Sequence, residues 1–505
     1  MKPSARGLPL GGALLFKLAI GLLALFGEGF HGVSDDDFAR VFIAQGFATA
    51  PSLDPSGTSW LPFPFWLTGS AMLAFGKSLF VARIVAVLCG LLSTALLYLA
   101  ARQLKLSPLR SASAAALGST FPYAAYLGVA TVPESLCAAS IVAACVLVSS
   151  SPRLRLFGGA LLCSACLSRY EAWPVALGFA LVSGWDAFRG RSEVNTEPFS
   201  KPQRTLLLGS GALAVSGSLW WMLHGLYAQG SATFFVDRVA AYRRAIGAAP
   251  ESLWARLSGY PLGFLRGEPE LVLVTFVFSA WLFSSLRRSQ SPEPPPSDSS
   301  GVRSSVSQPW RRTAALLLLM LLSLIYGDLR DGAPTHHSER AVLALWMFTA
   351  LVLLRVLELL LAHTSKPRIV LVAVACLLLG QFVLRPWYSR RDSFIIRRAA
   401  VATGAAAKSK GAEKLAVATD DFGFYAVCVG FEAPDACFSL RDNDPRKKLT
   451  EDPLGSVSAL RKALDAKGAR WFALPVKYRE LGERLGTERF VTGGWVLFEA
   501  GEPLR

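Results

Sequence analysis

Runs of about twenty predominantly apolar residues recur along most of this 505-residue chain. A helix of about that length crosses the hydrocarbon core of a bilayer. No water is available there to satisfy backbone groups, so a run that enters the core is constrained to be helical. The runs predict eleven spans, near 9–28, 79–100, 112–130, 132–149, 156–168, 174–188, 206–224, 270–286, 313–327, 340–361 and 368–384. The two segments flanking Arg169 to Trp173 are short for full crossings. They are expected to form a hairpin whose tip stops inside the membrane or in a cavity, where irregular backbone is tolerated. The first run is interrupted only by Lys17 and is long for the apolar region of a signal peptide, so it reads as a retained anchor.

Charge tells the same story. Only 17% of residues are charged, against about 25% in soluble proteins, and mean hydropathy is +0.40. That argues against a soluble enzyme and against disorder. The formal net charge of +16 has two readings, nucleic-acid binding or membrane topology. With the N-terminus cytoplasmic, Lys and Arg are more than twice as dense in the inner segments as in the outer ones. The excess charge therefore reads as topology, and no nucleic-acid partner is expected. An odd number of spans in the cytoplasmic membrane places the C-terminus outside.

Two regions are not membrane. Segment 287–312 holds a Pro/Ser-rich stretch and reads as a cytoplasmic linker. Residues 1–384 form the membrane domain, and residues 385–505 a small soluble α/β domain. In the latter, strands are expected at Lys414 to Ala418 and Arg470 to Leu474, a helix at 456–467, and a hairpin from Phe490 to Glu499 around Gly493-Gly494. Cys428 and Cys437 lie in this outer domain, where a disulfide is open to them. Cys163-x-x-Cys166 sits in mid-span without a partner pair and reads as packing.

The first outer loop, residues 28–78, carries the densest chemistry. It begins His31-Gly-Val-Ser-Asp35-Asp36-Asp37-Phe-Ala-Arg40. One reading is a helix start, with Ser34 as cap and acids in the first turn. The other is a general base or a metal site, since adjacent like charges raise one another's pKa and poise a carboxylate for proton abstraction. Further along come Trp60-Leu-Pro-Phe-Pro-Phe-Trp66, then Ala82-Arg83 and Tyr98-Leu-Ala-Ala-Arg102.

In this order the loop resembles the GT-C superfamily of polytopic membrane glycosyltransferases, specifically the family-39-like branch. That branch includes the protein O-mannosyltransferases and the lipid A aminoarabinose transferase. The match covers residues 28–105 well and weakens beyond. Many relatives read Lys-Pro-Pro where this chain has Trp60-Leu61-Pro62, and Asp37 is an extra acid. The resemblance implies an α-helical polytopic membrane fold and an outer active site. It also implies transfer of a hexosyl or pentosyl group from a polyprenyl-phosphate donor, with inversion. Asp35 or Asp36 would be the catalytic base, with Asp37, Arg40, Trp60 and Arg83 near the substrate. No cofactor is certain from this, and a divalent cation is left open, since some branches use one.

Other polar residues fall where such a fold would use them. Arg169 and Glu171 lie at the hairpin tip, where ionisable residues are functional candidates or a mutual pair. Arg169 would suit a lipid phosphate, because its planar fork matches phosphate oxygens. Glu134 follows Pro133 in the second outer turn, either as a site acid or as a helix-start acid. His336, His337 and Arg340 sit at the mouth of the tenth span. Adjacent histidines do not share one helical face, which favours donor or phosphate contact over a metal. Segment 232–266 reads as an interfacial amphipathic helix.

The expected function is glycosyl transfer to a glycan, lipid or protein acceptor at the bilayer's outer face. A polytopic lipid or saccharide transporter, or a non-catalytic envelope assembly protein, are the alternatives. The acids cluster in an outer loop and no inverted repeat is evident, which weighs against transport.

Overall fold

The structure is a computed structural model that describes residues 8–190, 198–247, 252–289, 300–331, 337–363, 372, 391–447 and 451–501. Among the described residues of the membrane domain, every regular element is helical. Helix α1 (Leu8–Leu22) runs on as a π-helical turn to Gly27, followed by α2 (Asp35–Thr49), α3 (Phe63–Phe75) and α4 (Leu79–Gln103). Next come α5 (Pro108–Thr120), α6 (Pro122–Leu127), α7 (Glu134–Leu147), α8 (Pro152–Cys166), α9 (Ala172–Arg189) and α10 (Lys201–Gln229). The remainder are α11 (Phe234–Ala245), α12 (Leu253–Gly267), α13 (Pro269–Ser289), α14 (Ser300–Leu329), α15 (Ser338–Ala341) and α16 (Leu343–His363).

Among the described residues, five helices are long and apolar enough to cross a bilayer: Leu8–Gly27, Leu79–Gln103, Lys201–Gln229, Gln308–Leu329 and Leu343–Ala362. The pair α12 and α13, bent by 87°, would make a sixth. Among the described residues, the other expected spans are helices too, but short or broken. The run at 112–130 divides at Phe121, because Pro122 supplies no N–H to continue the α5 ladder. The expected span 368–384 lies outside the described residues save for Val372. The linker expected over 287–312 narrows, since 287–289 and 300–312 are helical and 290–299 lie outside the described residues. The proline cluster that motivated it is confined to 292–296.

Small residues let the helices approach. A Cβ on Gly159 of α8 would come within 2.4 Å of Ser210 O on α10, and one on Gly217 of α10 within 2.5 Å of Cys163 O. Cys163 and Cys166 pack in that seam, where the Ser216 hydroxyl donates to Cys163 Sγ. Polar glue is equally specific. Buried Asp186 on α9 takes Arg155 of α8 at 2.7 Å and both Nη groups of Arg312 on α14 at 2.8 and 3.1 Å. Nothing in the sequence pattern pairs these three, because they are far apart along the chain.

The C-terminal domain opens with α17 (Arg391–Ser409), then β1 (Leu415–Val417), α18 (Phe424–Phe431), β2 (Cys437–Ser439), α19 (Val457–Lys467) and β3 (Trp471–Pro475). It closes with α20 (Arg479–Glu483), β4 (Gly486–Val491) and β5 (Trp495–Ala500). The sheet order is β2-β1-β3-β5-β4. Strand β1 is parallel to β2 and β3, whereas β5 pairs antiparallel with β3 and β4. The expected strands, helix and Gly-Gly hairpin are all present. Cys428 and Cys437 form a disulfide with their Cα atoms 5.5 Å apart.

This domain does not hang free. One apolar cluster runs from Phe38, Val41, Ala44 and Met72 of the first loop into Ala400, Ala407, Val427 and Phe431 of the C-terminal domain. Gln45, fully buried on α2, donates to Lys77 O at 2.7 Å and to Val429 O at 3.1 Å. A glutamine amide satisfies two carbonyls that packing would otherwise leave dry.

Candidate active site

The local sequence around Ser34 decides where the three acids point. Successive residues on a helix turn by about 100°, so Asp35, Asp36 and Asp37 face three ways. Asp37 turns inward. Its Oδ2 accepts from Val33 N at 3.0 Å and Ser34 N at 3.2 Å, capping α2, and its Oδ1 accepts from Thr131 N at 3.1 Å. Asp35 and Asp36 turn the other way and stay half-buried at the wall of a cavity of about 300 Å³.

That cavity gathers side chains from distant parts of the chain. Arg40 comes from α2, Trp60 from the loop before α3, Glu134 from the start of α7, Arg169 from the hairpin tip, and His337 and Arg340 from α15 and the residue before it. Asp35, Asp36, Arg169 and Arg340 thus share one cavity, as one phosphate-and-acceptor site would require. Arg340 is its hub. Its Nη1 lies 2.9 Å from Asp36 Oδ2 and 3.7 Å from Glu134 Oε1, while Nη2 donates to Ser34 Oγ at 2.8 Å. Arg169 Nη1 reaches Glu134 Oε1 at 2.7 Å, and its Nε is paired with Glu171. Arg40 stacks over Trp60, 4.6 Å from the ring centroid, and its Nε and Nη1 are buried with no hydrogen-bond partner among the described residues. A guanidinium held by a ring face keeps its donors free for a ligand.

Asp35 and Asp36 differ in their surroundings. Burial lifts the Asp35 carboxyl above its ordinary value, with the Arg397 guanidinium pulling only partly against it. Burial also acts to raise Asp36, but Arg340, Arg40 and His337 together outweigh it and hold that carboxyl below the usual range. Two adjacent carboxyls are thereby driven apart in basicity, a pattern that separates acid–base roles.

Not every expected residue reaches the cavity. A substrate contact, expected for Asp37, Arg83 and Glu171, is not what their geometry offers. Asp37 is fully buried as a cap. Arg83 spends its guanidinium on Val129 O at 3.0 Å and His31 O at 2.8 Å, lies 3.7 Å from Asp37, and covers the Phe30 ring. Glu171 is buried behind Arg169. All three hold the loop and the hairpin in register. His336 lies outside the described residues.

The cavity also has walls the sequence did not single out as one site. Arg238, Tyr242 and Arg243 descend from α11, with Arg243 anchored 2.7 Å from Asp328. Tyr170 closes one side and donates from its hydroxyl to Ser59 O at 2.6 Å. Phe422, Tyr425 and Arg446 enter from the C-terminal domain, and Arg397 of that domain lies 3.4 Å from Asp35. The helical pattern of 232–266 was a usable signal for α11. No local pattern could have brought in residues some 400 positions away. A divalent ion does not fit the residues present: Asp35 and Asp36 each face a guanidinium. Among the described residues, no three His, Cys, Asp or Glu side chains converge.

Fold and site define a class: a polytopic helical membrane protein whose cavity, rich in arginine and aspartate, is walled in part by a soluble α/β domain. Residues 56–221 match the family of dolichyl-phosphate-mannose-protein mannosyltransferases. The fold is similar to that of ArnT from Cupriavidus metallidurans, solved bound to undecaprenyl phosphate, with TM-score 0.57 at 12% identity over 98% of this chain and 99% of that one. The oligosaccharyltransferase of Archaeoglobus fulgidus, tethered with an acceptor peptide containing the NVT sequon, gives TM-score 0.49 at 13% identity over 100% of this chain and 75% of that one. No curated protein matches the chain in sequence. The family match thus covers part of the chain, and the likeness to ArnT is one of fold.

Proposed function

We propose that this chain moves a sugar from a polyprenyl-phosphate donor to an acceptor hydroxyl at the outer face of the cytoplasmic membrane. The observation that carries the reading is the cavity itself. Six arginines line it (Arg40, Arg169, Arg238, Arg243, Arg340 and Arg446) against Asp35, Asp36 and Glu134. An anionic ligand suits that balance, and the ArnT structure with undecaprenyl phosphate supports a lipid phosphate.

The chemistry follows from the two carboxylates. Asp35, the more basic, takes the proton of the acceptor hydroxyl as its oxygen attacks the anomeric carbon. The bond from that carbon to the phosphate oxygen breaks, and the electron pair leaves on the lipid phosphate. That leaving group is already a stable anion, so it must be positioned and its charge neutralised. Preorganised guanidinium groups do both. Arg40, with unpaired donors, suits the phosphate, while Arg340 and Arg169 keep Asp36 and Glu134 ionised and fixed. Attack opposite the phosphate inverts the anomeric centre, as the family resemblance implies. The acceptor is a glycan, lipid or protein, and the sugar a hexosyl or pentosyl group.

The same reading puts the N-terminus in the cytoplasm and the C-terminal domain outside, in line with the distribution of Lys and Arg. The Cys428–Cys437 disulfide supports an oxidising side for that domain. The test is transfer of label from a polyprenyl-phosphate sugar by the purified full-length protein, with Asp35→Asn, Asp36→Asn and the double variant. Loss of transfer in Asp35→Asn with retained folding is expected. Full activity in both single variants and the double would end the proposal.

A further inference from the structure

We propose that Arg397, on the C-terminal domain, is a positioning residue for Asp35, so that the soluble domain forms part of the catalytic apparatus. The inference rests on the reading of Asp35 as the base.

Arg397 belongs to α17, and 362 residues separate it from its target. Its Nε lies 3.4 Å from Asp35 Oδ1, and its Nη1 donates to Gly32 O at 3.0 Å. One side chain thus ties the carboxylate and the backbone that leads into α2. The guanidinium is mostly shielded, with the side chain 17% exposed. It is held there by the docking of its domain, through the apolar cluster shared with α2 and through Gln45 on Val429 O. A planar fork that spans two acceptors restricts orientation as well as supplying charge.

The charged groups around Asp35 come from three elements. Arg397 faces it from α17, Asp421 from the segment after β1, and Asp36 from its own helix. Two of the three are thus supplied by the C-terminal domain, and they act in opposite senses. Arg397 favours the ionised carboxylate, whereas Asp421 opposes it, as does burial. Asp421 is itself oriented by the Thr419 hydroxyl and by Gly423 N, each 2.8 Å from its Oδ1. The domain therefore sets both the direction and the basicity of the group that takes the proton.

The experiment measures kcat/KM against pH for the full-length protein in detergent, using a labelled polyprenyl-phosphate sugar. In the free enzyme, the acidic limb of that profile reports the base. Loss of an adjacent cation leaves a carboxyl harder to ionise, so Arg397→Gln moves the acidic limb upward by about one pH unit or more. Arg397→Lys keeps the charge without the fork and gives a smaller shift with a lower kcat. Asp421→Asn removes an opposing charge and moves the limb downward. A uniform loss of rate at every pH in Arg397→Gln, with the limb unmoved, would mean a docking role only and would overturn the proposal. If Arg397→Gln does not fold, an unmoved limb in both Arg397→Lys and Asp421→Asn overturns it instead. Asp35→Asn separates the two ideas: an active Asp35→Asn protein defeats the base assignment, whereas an inactive one beside an unmoved limb defeats only the role of Arg397.

Discussion

Arg340 holds Asp36 Oδ2 with one guanidinium nitrogen, at 2.9 Å, and Ser34 Oγ with the other, at 2.8 Å. The cap residue of α2 and a cavity carboxylate are thereby fastened to a helix that begins three hundred positions later. The helix that displays the acids and the wall that faces them cannot move independently.

Arg340→Ala is expected to lower kcat/KM by about 100-fold or more, the scale seen when one preorganised electrostatic group is lost. It also leaves Asp36 and Glu134 short of a counter-charge, so the midpoint of thermal unfolding falls. Arg340→Lys restores part of the charge but not the fork, and its rate lies between the two. Steady-state transfer and differential scanning fluorimetry measure both effects.

Asp37→Ala is a folding variant, not a chemical one. It strips three N–H groups and a neighbouring arginine of their acceptor. Removing one partner of a buried charged pair costs about 3 kcal/mol or more. The expected result is a lowered unfolding midpoint and poor yield of monodisperse protein. A protein with normal stability and selective loss of turnover would contradict this placement.

Asp35→Asn should be both inactive and more stable. The folded carboxyl titrates above its unfolded value, so the charged form is penalised in the fold. That penalty is absent at low pH, when the group is protonated, and is felt fully once pH exceeds the raised value. An amide never carries it. Unfolding midpoints of wild type and Asp35→Asn are therefore expected to separate above the ordinary carboxylate range and converge below it.

For Asp36 the sign is reversed. Its folded carboxyl titrates below its unfolded value, so it contributes stability that is present above about pH 4 and is lost as pH falls through the depressed folded value. Acid unfolding curves of wild type and Asp36→Asn are predicted to approach one another only in that acidic window.

Arg40→Ala is expected to raise the KM for the lipid-phosphate donor by about tenfold, with a smaller effect on kcat, because a charge-assisted hydrogen bond contributes roughly 1.5–3 kcal/mol. Trp60→Ala removes the ring that supports the guanidinium and should raise KM in the same direction but less. Donor titrations at saturating acceptor separate the two parameters.

Much of this was legible from residue order. The apolar runs placed the helices because a bilayer admits little else, and the alternating strands around Gly493-Gly494 placed the hairpin. The first loop was marked by three acids and an arginine, yet composition could not say which acid points inward. Ser34-x-x-Asp37 was the clue, since that spacing lets the third acid fold back on the cap. Arg83 stands out in sequence for the same reason as a site residue would, being a lone cation among apolar neighbours, and only three-dimensional contact shows that backbone carbonyls occupy it. Arg397, Tyr425 and Arg446 were out of reach for a different reason. Their relation to the cavity depends on how two regions dock, and docking leaves no periodic trace in either.

The apolar cluster that joins α2 to α17 and α18 has a practical side. A fragment cut at the end of the last hydropathy peak would carry Ala400, Ala407, Val427 and Phe431 without the partners that now cover them. Such a fragment is a poor choice for raising antibodies or for crystallisation by itself, because it is expected to associate with itself through that face. Shortening the first loop to stabilise the membrane portion would do the same damage from the other side. Anyone engineering this protein gains more by treating residues 28–78 and 391–501 as one unit, transplanted or kept together.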